Sequence, residues 1–135
     1  MRVKRLLVIS VLIVAACKSP TPAEQIDSIQ SWLATAAMVG ETWLRHTTPD
    51  KFSRQTLELS HGTLLQISRD LLKSAPHSVD SAALDGILTR SRGHVAAMAR
   101  LIRARDAPDF ARQLDSLRAD QKIVKQLSDS IESGR

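Results

Sequence analysis

Prolines and turn residues cut residues 22–132 into four segments of similar length, and each segment repeats its apolar residues at a helical spacing. Thr21-Pro22-Ala23-Glu24 reads as an N-cap, a proline at the first helical position and a glutamate at the third. Thr48-Pro49 repeats the device, and Ala75-Pro76-His77-Ser78 and Asp106-Ala107-Pro108 interrupt the chain twice more. The segments between are 22–46, 49–74, 78–105 and 107–132, and none alternates with the period of two that a strand requires.

The first segment lines up Ile26, Ile29, Leu33, Ala36, Ala37, Gly40, Trp43 and Leu44. The second gathers Leu57, Leu64, Leu65, Leu71, Leu72 and Ala75 on a face shared with His61 and Ser68. The third gives Leu84, Ile87, Val95, Met98, Leu101 and Ile102, with His94 inside the stripe. The fourth is thinner: Phe110, Leu114, Leu117, Val124, Leu127 and Ile131, interrupted by Gln121 and Ser128. Four amphipathic helices joined by short turns bury such stripes most simply as an all-α, up-down-up-down four-helix bundle about 40 Å tall.

The start of the chain carries a different signal. Arg2, Lys4 and Arg5 precede an apolar run over 6–16, and the single cysteine follows in Val14-Ala15-Ala16-Cys17. As a helix the run would be about 16 Å long, too short for a hydrocarbon core of ~30 Å. This block resembles the signal peptide and lipobox of a bacterial lipoprotein over residues 1–17. The resemblance implies cleavage between Ala16 and Cys17, removing 1–16 as the signal peptide. It implies diacylglycerol on the Cys17 thiol and, in many bacteria, a third, palmitate-type chain on its amine. Each buried CH₂ adds roughly 0.8 kcal/mol, so two or three chains hold a small domain on a membrane where one would not. Residues 17–21 become the lipidated cysteine and a short tether, and 22–132 the bundle. Lys18, rather than aspartate, follows the cysteine, which by the same resemblance favours the outer over the inner membrane. Residues 18–21 reach about 14 Å when extended. The first helix start, the Pro76 turn and Ser133-Gly134-Arg135 should therefore face the lipid.

Removing the signal changes the electrostatics. Three of the 19 Lys and Arg residues and none of the 14 acids precede Cys17, leaving 16 basic against 14 acidic residues, a net charge of +2. The pI of about 10.0 thus belongs largely to the removed segment. With two Trp, two Phe and no Tyr for base stacking, no nucleic-acid partner is expected. A lone cysteine allows no internal disulfide, so the fold must stand on its apolar core.

Residue patterns for chemistry are sparse. His61 precedes Pro76 by fifteen residues and His94 follows it by eighteen, so an antiparallel hairpin would put both near one level. Ala36, Ala37 and Gly40 fall at that height, and Gly62 and Gly93 adjoin the histidines, which could leave room for a metal or haem. Two ligands are fewer than a structural zinc takes, and core histidines hydrogen-bonded to Ser60, Ser91 or Gln121 are the plainer account. Glu58-Leu59-Ser60-His61 matches one half of a di-iron motif that has no second copy here. There is no Cys-x-x-Cys-His, no Gly-rich phosphate loop and no nucleophile elbow.

Arg92, Arg100 and Arg103 are expected to share the face opposite the third stripe, as an anion or partner strip; late cations also suit a helix dipole. Glu41–Arg45 and Asp50–Arg54 have the spacing of surface ion pairs. Trp32 and Trp43 fall on one face, and Phe52 and Leu59 on the outer side of the second helix. The expected function is a non-enzymatic, membrane-anchored structural or protein-interaction subunit of the cell envelope. It would carry no cofactor, face the periplasm and have an envelope protein as partner. The alternative is a metal- or haem-binding bundle using His61 and His94.

Overall fold

The computed structural model describes residues 20–74 and 79–133; Ala16 and Cys17, the Pro76 turn and the side chain of Ile131 lie outside the described residues. Four helices make up the rest: α1 (Pro22–Leu44), α2 (Asp50–Ser74), α3 (Val79–Ala104) and α4 (Ala107–Ser133). No strand occurs among the described residues.

The helix ends follow from local chemistry. Thr21 Oγ1 accepts from the Glu24 amide and Glu24 Oε2 from the Thr21 amide, both at 3.2 Å, closing the capping box around Pro22. Thr48 does not repeat this role. Its hydroxyl lies 2.9 Å from that of Ser53 and 3.3 Å from that of Thr42, while the α2 ladder starts with Ser53 N donating to Pro49 O at 3.0 Å. Asp106 caps α4 by accepting from the Asp109 amide at 3.0 Å. Pro108 then sits in the first turn, where its missing N–H leaves no gap.

α1 and α3 end alike. His46 (φ 58°) and Arg105 (φ 53°) adopt the left-handed conformation. Thr47 N reaches Thr42 O at 3.0 Å, and Asp106 N reaches Leu101 O at 3.1 Å. Both are Schellman closures made without the usual glycine.

The helices form a four-helix bundle in which each packs on two neighbours and the α1–α3 diagonal barely touches. Cross-helix bonds join the α1 start to the α2 end (Ser74 Oγ to Gln25 Oε1, 3.3 Å) and the α1 end to the α2 start (Trp43 Nε1 to Asp50 Oδ1, 2.8 Å). Ile29, Leu33, Leu57, Leu64, Val95, Phe110, Leu117 and Val124 are fully buried at 0% exposure. At one end of this core the rings of Trp43 and Phe110 lie 4.4 Å apart, tilted by 48°. Because Asp50 serves Trp43, the expected Asp50–Arg54 pair is replaced by Arg54–Glu58 at 3.8 Å. The Glu41–Arg45 pair forms.

Small residues sit where the helices need them, and not where the histidines are. A Cβ on Gly40 would lie 2.6 Å from Met98 Cε and 3.2 Å from Leu114 Cδ1, so side chains from α3 and α4 already fill this gap. Gly62 and Gly93 face open space with no neighbour within 4 Å. The room expected beside His61 and His94 is therefore occupied at Gly40 and is plain solvent at the other two.

The stripes are also rotated from the expected ones. On α2, Ser60 points inward, His61 is half-buried and Leu72 is 45% exposed. On α3, Leu88 and Ser91 are core while Ile87, His94 and Leu101 lie on a half-buried flank. A bundle helix meets two neighbours as well as the centre, so apolar residues on its flanks blur the position of the true core line. Ser60 and Ser68 are tolerated inside because each hydroxyl donates to a carbonyl one turn back, Thr56 O at 2.8 Å and Leu64 O at 2.6 Å.

Candidate functional site

The most polar part of the interior lies between α3 and α4. Asp120 sits three residues after Leu117 and four before Val124, on the α4 core line, and its side chain is only 4% exposed. A buried carboxylate needs partners, and α3 supplies them. Arg90 donates through Nη2 at 2.5 Å and Nε at 3.1 Å to Oδ1. Ser91 Oγ donates to Oδ2 at 3.2 Å, and His94 Nε2 stands 3.6 Å from the same oxygen. On its other side the His94 ring is bound through Nδ1 to Gln113 Oε1 at 2.7 Å. The hydrogen bond to Asp120, and then the carboxylate charge, raise the Arg90 pKa above the ordinary arginine value. Arg90 thus stays charged under all ordinary conditions.

Serine, histidine and aspartate come together here without the geometry of a nucleophile. Ser91 is 0% exposed and donates to the carboxylate, and His94 is bonded to Gln113. Their arrangement fixes the register of α3 against α4. Asp120 was missing from the expected core. The signal for it was its spacing, since an acid on the line of Leu114, Leu117 and Val124 must be either paired or misplaced.

The residues expected to form sites are dispersed. His61 lines a groove of about 190 Å³ between α2 and α3, with Glu58, Ala96, Ala99, Arg100 and Arg103. His94 looks across the opposite flank of α3 towards α4. The two histidines therefore do not share a site. Among the described residues no group of three or more His, Cys, Asp or Glu is placed to hold a metal.

Of the arginine strip, Arg100 and Arg103 are exposed and Arg92 is half-buried. Arg92 folds onto its own helix, donating to Leu88 O and Thr89 Oγ1. Arg103 crosses to Glu58 at 3.1 Å, and Arg100 lines the α2–α3 groove beside it. Arg100 and Arg103 stand on the flank of α3 that faces α2, and Arg92 does not join them. Phe52 and Leu59 do lie outside, 54% and 59% exposed.

A larger groove, about 460 Å³, runs along the α1–α4 seam, the most loosely packed of the four. Leu33 and Ala34 form its floor, Gln30 and Gln121 contribute amides, and Arg118, Lys122 and Lys125 line it with positive charge. Arg118 also reaches Glu41 Oε2 at 2.9 Å. No described helix is long and apolar enough to cross a membrane. Comparison of this chain with protein-family models, with curated proteins and with solved structures found no match.

Proposed function

We propose that the chain is a lipoprotein of the bacterial envelope, held on the membrane through acyl chains on Cys17, whose up-down-up-down bundle is a non-enzymatic interaction subunit. The observation that carries this reading is the spacing between two signals. The lipobox ends at Cys17, and the α1 capping box closes at Thr21, so only three residues separate the lipid site from an ordered cap. Such a tether holds the bundle against the bilayer surface and leaves its sides accessible. Cross-helix contacts support the up-down order: Gln25–Ser74 and Trp43–Asp50 join opposite ends of α1 and α2. Glu58–Arg103 links the first half of α2 to the end of α3, and Trp43–Phe110 the end of α1 to the start of α4. The non-enzymatic reading is supported by the structural use of Ser91, His94 and Asp120. Lys18 after the cysteine favours the outer membrane.

Cys17→Ser tests the anchor. On detergent phase separation the wild type should enter the detergent phase, and the variant should stay in its precursor form without incorporated palmitate. Equal palmitate labelling of both forms would show that the anchor lies elsewhere. Crosslinking in intact cells, followed by recovery of the bundle, should then capture an envelope protein.

A further inference from the structure

We propose that the α1–α4 groove binds a phosphate ester bearing a short apolar group. The site deepens the interaction reading by naming what this surface holds, and it does not depend on acylation of Cys17. Arg118 stands three and four residues before Gln121 and Lys122, and Lys125 four and three after them, so α4 presents the four as one face towards α1.

Folding alone gives no reason for this grouping. Arg118 and Lys122 are like charges one turn apart, an arrangement that weakens a helix. The other seams carry at least one cross-helix ion pair each, Arg103 with Glu58 and Arg90 with Asp120, although Arg100 beside the first has none among the described residues. Here only Arg118 has an acidic partner, Glu41, and no ion pair is made by Lys122 or Lys125 among the described residues. No acid lines the groove.

The lining matches the ligand class part by part. Two exposed ammonium groups and a guanidinium already oriented by Glu41 suit a phosphate dianion or diester. The Gln30 and Gln121 amides can donate to ester oxygens, and the exposed Ala34 methyl with the carbon stems of Lys122 and Lys125 gives apolar surface for a short alkyl group. The same chemistry describes an anionic lipid headgroup and a free phosphate. Apolar contact beyond the phosphate separates the two.

The test titrates the full chain in maltoside micelles with hexyl phosphate and with inorganic phosphate, following backbone amide shifts. Hexyl phosphate should move the amides of Gln30, Ala34, Lys122 and Lys125, with weaker binding as salt is added. Lys122→Gln with Lys125→Gln should lower the affinity about tenfold and leave the melting temperature unchanged. Lys51→Gln with Lys73→Gln, exposed lysines of α2, should leave binding unchanged. Weaker binding of inorganic phosphate at the same residues is the expected result; equal binding of the two overturns the apolar contact and reduces the site to one for free phosphate. Absence of shifts at these residues, or undiminished affinity in the Lys122/Lys125 variant, overturns the site. Tighter binding of a hexa-aspartate peptide than of either phosphate overturns the ligand class. Cys17→Ser should not alter any of these titrations, so failure of the anchor and failure of the groove are read separately.

Discussion

Arg90 and Asp120 meet across the α3–α4 seam with Nη2 2.5 Å from Oδ1, yet their side chains are 53% and 4% exposed. One partner is half in water and the other is inside the core. The asymmetry decides what each contributes: Arg90 can be rehydrated if the pair breaks, whereas Asp120 and Ser91 cannot.

Asp120→Ala should therefore cost about 2 kcal/mol, because it leaves a small void and strands the buried Ser91 hydroxyl. Asp120→Leu should lie closer to wild type, since an apolar residue on that line replaces an ion pair whose burial was itself costly. Chemical denaturation of the three proteins checks the order. The Arg90 pKa is raised by its bond to Asp120, so its contribution is complete below the ordinary arginine value and fades only as pH rises past the shifted one. From this group stability should show no slope across neutral and mildly alkaline pH.

The glycines separate into two kinds. Gly62, Gly86 and Gly93 have open space where a Cβ would stand, and alanine at each should stabilise by up to about 1 kcal/mol through helix propensity. Gly40→Ala should destabilise, because Leu114 and Met98 would have to move within a packed interior. Thermal melts of the single variants distinguish the two classes by sign.

His46 and Arg105 hold left-handed caps that glycine occupies more easily. His46→Gly and Arg105→Gly should each raise stability by up to about 1 kcal/mol. A loss of stability in either variant would show that the side chain holds the turn.

Helix α4 should be uneven along its length. Beyond Asp120, the fully described core contributions are Val124 and Ser128, whereas α2 supplies Leu57, Leu64 and Leu71. Less apolar area removed from water means weaker docking, at ~25 cal/mol per Å². Amides from 123 to 130 should exchange faster than those from 64 to 71. Equal protection would make the C-terminal half a full member of the core.

How far the sequence was legible depended on which force placed each residue. Proline breaks and the Thr21–Glu24 box are local, so the α1 start and the four-helix division could be read directly. Burial of Leu57, Leu64, Val95 and Leu114 followed from periodicity. Periodicity could not say which flank meets a neighbour, so the shared level expected for His61 and His94 does not bring them together: His61 lines the α2–α3 groove and His94 turns to α4. Asp120 was invisible to a search for apolar spacing, because its partners lie thirty residues away on α3. The groove at Arg118, Lys122 and Lys125 likewise exists only when α1 is laid beside α4.

Intact mass spectrometry of the full-length protein, recovered from bacterial membranes, is the decisive measurement for the Cys17 anchor. The expected species begins at Cys17, lacks residues 1–16 and carries the added mass of a diacylglyceryl group, with or without a third acyl chain. A chain that retains Met1, or one that begins at Cys17 with no lipid, would contradict it.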